Sequence, residues 1–257
     1  MKKDQFIVIC ADSAATAGKL LPTARLFAEK LRKGIILLSC SPGAESWIET
    51  LGVPYVALKG DWPTAISGLP TAFNAVLAIA WCDPEAKKGC FTHEKQILKN
   101  FKECKIGYLV VGKGVEQINT VGLTLNHQRE SKEKLIWASY FARFFHSRTV
   151  VMHHPYKDAA FLGRWKNNMR YMEKIFSGLN IAYETQVIEG SNEFGNPDLT
   201  AIDAPGTELF IALVADKREK DLGDLFATPP ELKLLRNKRQ LPVLFLNQRD
   251  DLYILCD

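Results

Sequence analysis

The sequence predicts an α/β protein with two Rossmann-like, doubly wound domains in tandem, and three observations carry that expectation. The first is an internal repeat. Shifting the chain by 114 positions places Ile7-Val8-Ile9 on Val121-Gly122-Leu123, Leu21 on Leu135, Ala24 on Ala138, Ala28 on Ala142, Leu31 on Phe145 and Ile35 to Leu38 on Thr149 to Met152, with no gap. The second is that short apolar runs alternate with helical patterns through both halves. The third is that these runs are apolar on both faces, which requires parallel pairing, right-handed crossovers and helices covering both sides of a sheet.

The elements follow in order. Ile7-Val8-Ile9 opens the first half as a strand, and Leu20, Ala24, Phe27, Ala28 and Leu31 recur at steps of three and four, the buried stripe of an amphipathic helix. A strand at Ile35 to Leu38, a short helix near Ala44 to Leu51, a strand near Tyr55 to Lys59 and a brief helix after Asp61 come next. A strand at Ala75 to Trp81, a helix near Thr92 to Phe101 and a strand at Ile106 to Val111 complete the half. The second half repeats the scheme. Its first helix carries Leu135, Ala138, Ala142 and Phe145; a longer helix spans Phe161 to Leu179; strands are expected at Ala182 to Ile188, Leu209 to Val214 and Val243 to Leu246, with a helix near Glu231 to Arg236. Gly112-Lys113-Gly114 punctuates the join, so the domains are drawn as 1–113 and 114–257.

Composition excludes several classes. With 47% hydrophobic and 24% charged residues the chain reads as globular rather than disordered. No apolar run approaches the ~20 residues of a membrane span. The segment Phe6 to Ala11 is too short for the apolar core of a signal peptide, so the expected location is the cytoplasm. A net charge of +4 demands neither a nucleic acid nor a membrane partner. Six cysteines without a C-x-x-C pair read as free thiols, and no metal is expected: Cys82, Cys90 and His93 fit no standard ligand spacing, and His153-His154 point to opposite faces of a strand. The basic run Lys233 to Arg239 reads as a solvated helix end rather than a nucleic-acid patch.

In a doubly wound sheet, ligands gather at the carboxyl ends of the strands, which singles out Ala11-Asp12-Ser13 and, at the same offset of 114, Leu125-Asn126-His127. Either Asp12 or Asn126 could accept a hydrogen bond from a ligand, or start a turn or cap a helix. Together with Leu58-Lys59-Gly60-Asp61-Trp62-Pro63-Thr64-Ala65-Ile66 after the third strand and Leu241 to Leu246 as a closing strand, this order resembles the universal stress proteins in their tandem form. The resemblance implies a five-stranded parallel sheet in each domain, a nucleotide pocket containing Asp12, Ser13 and Gly60, and a glycine-rich phosphate loop after the fourth strand.

That last loop is missing from both halves. Trp81-Cys82-Asp83-Pro84-Glu85-Ala86-Lys87-Lys88-Gly89-Cys90 has one glycine, and Ala215 to Asp224 is charged, with Lys217 and Arg218 among its side chains. Side chains with a Cβ hold the backbone off a phosphate. The expectation is therefore a non-enzymatic regulatory or binding protein of the stress response with degenerate nucleotide loops. No catalytic set and no obligatory cofactor are expected, and the partner is a small ligand or an unidentified protein. The alternative is an ATP- or AMP-binding protein that hydrolyses slowly and uses the first-half pocket. Any nucleotide is expected beside Asp12 and Gly60 rather than Asn126. The resemblance also implies that the halves form an intramolecular pseudo-dimer through their final strands, with Tyr108, Val110, Val243 and Phe245 at the contact; a homodimer of whole chains is a further form. On that expectation Val243→Asp loosens the halves while leaving their helices formed, and limited proteolysis between them is the check.

Overall fold

The computed structural model describes residues 4–41, 43–58, 62–83, 100, 104–188, 196–214 and 229–247. They fall into two compact units, one built on Met1–Gln117 and one on Ile118–Gln248. In the first unit the strands are β1 (Phe6–Cys10), β2 (Gly34–Ser39), β3 (Tyr55–Ala57), β4 (Ala75–Trp81) and β5 (Gly107–Val111). Their order in the sheet is β3-β2-β1-β4-β5 and all pairs are parallel. The second unit has β6 (Thr120–Thr124), β7 (Arg148–His153), β8 (Tyr183–Val187), β9 (Leu209–Leu213) and β10 (Val243–Leu246), in the order β10-β9-β6-β7-β8 and again parallel throughout. Counted from the first strand of each unit, the order is the same.

The repeat extends to the register. β6 and β7 lie 114 positions after β1 and β2 at both ends, and Phe6 faces Gly34 as Thr120 faces Arg148. A one-residue slip would turn every side chain to the other face, so strands buried on both faces hold that register. The central strands are buried along most of their length: Ile7, Val8 and Ile9 in β1, Leu77, Ala78 and Ile79 in β4, and Leu209 to Ala212 in β9.

Helix α1 (Ala14–Leu31) covers the first sheet with Ala17, Leu20, Leu21, Ala24 and Phe27, all buried. Its first turn is capped by Ser13, whose hydroxyl accepts from the Thr16 N–H at 3.2 Å. It stops at Arg32, which takes the left-handed conformation at φ 54° while Lys33 N–H donates to the Ala28 carbonyl at 2.9 Å, the bonding of a Schellman end. After β5 the chain returns to this helix, where Val115 N–H donates to Thr23 Oγ1 at 2.9 Å. The expected helix near Ala44 to Leu51 is a helical turn, α2 (Glu45–Ile48), followed by a 3₁₀ turn, Glu49–Leu51. The brief helix after Asp61 is α3 (Trp62–Ser67), succeeded by α4 (Leu69–Ala72). The expected helix near Thr92 to Phe101 lies largely outside the described residues.

The second unit departs from the periodic reading in one place. Helix α5 (Glu133–Tyr140) buries Leu135 and Ala138, but a π-helical turn at Phe141–Phe145 then adds a residue to the turn. The stripe advances accordingly: Phe141 is buried, while Ala142 and Phe145, the residues that strict periodicity selects, are half-buried. The longer α6 (Ala159–Gly178) begins at Asp158, which caps Phe161 N–H at 2.9 Å, and it inserts Met172 and Phe176 into the core. Two short helices, α7 (Pro197–Ala201) and α8 (Pro230–Leu235), complete the unit. No helix among the described residues is long and apolar enough to cross a membrane.

Candidate ligand site at the carboxyl ends of the strands

In the first unit the loop after β1 presents Asp12 to solvent. Two contacts hold it there. The Trp62 indole Nε1–H donates to both carboxylate oxygens, at 3.0 and 2.9 Å, and Ser41 Oγ donates to the Asp12 main-chain carbonyl at 2.9 Å. Trp62 opens α3, so the start of that helix is tied to the loop after β1. A carboxylate has about four acceptor positions and a single N–H bridges two oxygens here, so Asp12 keeps acceptor capacity toward solvent. The adjacent Ser13 is occupied: besides accepting from Thr16 N–H, its hydroxyl donates to Thr16 Oγ1 at 3.0 Å. At the end of β4, Lys19 Nζ stands 4.7 Å from the centre of the Trp81 ring, a cation–π contact beside the same sheet end. Gly60, the third expected pocket residue, lies outside the described residues, as do Lys87, Lys88, Lys217 and Arg218.

The equivalent end of the second unit is built differently. Asn126 folds into an Asx turn, its Oδ1 accepting from Gln128 N–H at 2.9 Å, while Asn168 Nδ2 donates to the carbonyls of Asn126 and Gln128 at 2.8 and 2.9 Å. Behind that turn sits a buried ionic cluster. Lys134 Nζ lies 2.9 and 3.2 Å from the two oxygens of Asp198 and donates to Thr124 Oγ1 at 2.8 Å, and Thr124 in turn donates to Asp198. Lys134 and Asp198 are only 1% and 5% exposed, so neither charge is solvated and each depends on the other. By the repeat, Thr124 and Lys134 stand where the first unit has Cys10 and Leu20. Where the first unit offers an open carboxylate, the second is closed by its own side chains.

Over the same end, His127 stacks on Phe161 with ring centres 4.2 Å apart, and Tyr156 and Trp165 lie in the same aromatic group. His153 Nδ1–H donates to the His154 carbonyl at 2.8 Å. No group of three metal-ligating side chains occurs among the described residues. In the basic run, Arg239 donates to the Ala204 carbonyl and, at 2.7 Å, to that of Thr207, so it anchors the approach to β9. Tyr108 and Val110 are buried on β5, and Val243 and Phe245 on β10.

Solved structures share this fold. A universal stress protein from Archaeoglobus fulgidus DSM 4304 superposes with a TM-score of 0.69 over 96% of this chain and 97% of its own, at 12% identity. The fold is that of the universal stress proteins. A putative universal stress protein from Pseudomonas aeruginosa UCBPP-PA14 gives a TM-score of 0.62 at 13% identity, covering 98% of this chain and 95% of that one. A functionally unknown protein from Pseudomonas aeruginosa PAO1 gives 0.62 at 12% identity with the same coverage. No protein-family model matches the sequence, and no curated protein matches it.

Within this universal-stress fold, two buried thiols of the first unit, Cys10 and Cys104, are held in the neutral form. Burial pushes Cys10 well above the usual thiol range, with Cys104, Cys40 and Asp12 adding to it, and burial pushes Cys104 up to about 12. Burial likewise raises the Tyr108 phenol. Unfolded, Cys104 titrates near 9.0, so the unfolded chain releases its proton first and stability falls as pH climbs from about 9 to about 12. A thermal denaturation series from about pH 8 to about pH 11 is expected to show that fall, made shallower by Cys104→Ala.

Proposed function

We propose that this chain is a universal-stress-type binding protein of the stress response, regulatory rather than enzymatic, that takes its ligand at the carboxyl end of the first unit's sheet. The observation that carries the reading is the contrast at the repeated loop: Asp12 faces solvent with its carboxylate oriented by Trp62, whereas the matching position is filled by the Asn126 turn over the buried Lys134–Asp198 pair. A ligand amine or hydroxyl has an acceptor in the first unit. The hydroxyls beside Asp12 are both engaged, Ser13 as a helix cap and Ser41 on the Asp12 carbonyl, which favours binding over covalent chemistry. The sequence after β4 supplies no glycine-rich cradle for phosphates, so adenine nucleotides are expected to bind weakly.

Calorimetry of the full chain with AMP and ATP tests this. Removing a hydrogen bond to a charged group costs ~1.5–3 kcal/mol, so Asp12→Ala is expected to weaken binding by about 10- to 150-fold, while Asn126→Ala leaves it unchanged. Equal loss from both variants contradicts the reading. A second reading, slow ATP hydrolysis in the first unit, draws on the solvent-facing Asp12 carboxylate; phosphate release above background that vanishes in Asp12→Ala would establish it.

A further inference from the structure

Among the described residues, strand β8 forms the outer edge of the second unit's sheet, bonded to β7 on one side only. The ladder fixes which backbone groups face outward. Thr149 N–H donates to the Ala182 carbonyl at 3.3 Å and Ile188 N–H to the His153 carbonyl at 2.9 Å, so the even-numbered residues of the strand turn toward β7. The N–H and C=O groups of Tyr183, Thr185 and Val187 therefore point away from the sheet. The side chains of these three are also exposed, Tyr183 at 36% and Val187 at 55%. Natural edges are blunted by brevity, proline, lysine or bulges. The first unit follows that rule: β3 is three residues long, follows Pro54 and is half-buried. Strand β8, Tyr-Glu-Thr-Gln-Val, has no proline, lysine or bulge, and its one charged side chain, Glu184, is paired with Arg148 of β7.

We infer that β8 is the docking edge for a second copy of this chain, which pairs with it antiparallel about a two-fold axis at Thr185. The register is self-complementary at every position. Thr185 meets Thr185 of the second copy, and Tyr183 meets Val187 at each end. These are the three residues whose outward groups are free to form the closely bonded pairs of an antiparallel ladder. An aromatic ring opposite a β-branched side chain and threonine opposite threonine are favourable cross-strand pairs. On the other face Glu184 meets Gln186, so no like charges oppose each other; Glu184 is already paired with Arg148 and accepts from Gln186 Nε2 at 2.9 Å. A symmetric patch that satisfies itself gives a closed dimer rather than a filament. So short an edge lies at the small end of stable interfaces, so the dimer is expected to dissociate in the micromolar range, about 1–100 μM.

Sedimentation of the full chain from about 1 to about 500 μM, a span that brackets such a constant, reads the equilibrium. The expected result is monomer at the bottom of the range and dimer at the top. Thr185→Lys, which sets two ammonium groups face to face across the axis, abolishes the dimer with the circular dichroism spectrum unchanged. Val187→Lys weakens it at least tenfold. In the parent, amide exchange of Tyr183, Thr185 and Val187 slows with rising concentration, which reads the same edge without any substitution. A parent that stays monomeric throughout, a dimer that persists in Thr185→Lys, or exchange at these amides that ignores concentration overturns the inference. A monomeric parent whose β8 amides are protected by a different added protein also overturns it.

Discussion

Replacing Lys134 by methionine is expected to destabilise the second unit by about 3–5 kcal/mol, the usual cost of removing one partner from a buried ion pair. Methionine fills much of the same volume but leaves Asp198, 5% exposed, with Thr124 as the remaining donor to its carboxylate within the cluster. The charge can neither reach water nor find a counter-ion. The double replacement Lys134→Met with Asp198→Leu removes both charges together, and such exchanges are neutral or stabilising by ~1–4 kcal/mol. It is therefore expected to recover the loss, apart from the bond that Thr124 forfeits. Urea denaturation of the parent, the single and the double variant checks this. A single variant within about 1 kcal/mol of the parent would show that the pair is not the closed structure described.

Gly122→Val is expected to cost about 1–3 kcal/mol or more, although it restores the residue that the repeat carries at Val8. A Cβ at Gly122 would stand 2.7 Å from Thr207 Cγ2, 2.8 Å from Thr207 Oγ1 and 3.1 Å from Met152 Cε. Thr207 has little freedom to withdraw, being fully buried with its carbonyl held by Arg239. A glycine inside a strand marks such a close approach. The thermal midpoint of Gly122→Val should fall by several degrees, and Thr207→Ala in the same chain should return part of it, because the threonine side chain is the main obstacle.

Much of this fold was legible because its signals are local. The 114-residue repeat marks the same strands, in the same register, that the structure pairs as β1–β2 and β6–β7. The strands Ala75–Trp81 and Val243–Leu246 fall at the expected residues, since continuous apolar runs between polar segments admit few other boundaries. The site was legible only in part. Asp12 follows from its place after the first strand, but its partner Trp62 lies 50 positions away. Lys134 reads in the sequence as a polar residue beside the helix stripe, and nothing near it announces Asp198, 64 positions on. The one available hint was the repeat, which sets Lys134 against the apolar Leu20 and so places a charge at a core position. The π-helical turn at Phe141–Phe145 escaped for another reason, because periodicity assumes a constant turn and cannot register an inserted residue.

The proposed ligand end of the first unit is organised by Trp62 and Asp12. The chain has five tryptophans, and the Trp62 indole N–H is bonded to the Asp12 carboxylate, so its ¹⁵N-indole resonance reports directly on that group. Titrating the labelled full chain with AMP to about 10 mM, well above a dissociation constant of ~1 mM, and assigning the signal with Trp62→Phe, is the decisive measurement. The Trp62 signal is expected to move saturably while those of Trp137 and Trp165 in the second unit hold still. A Trp62 signal that stays in place throughout, or a saturable shift confined to Trp165, would contradict the proposed site.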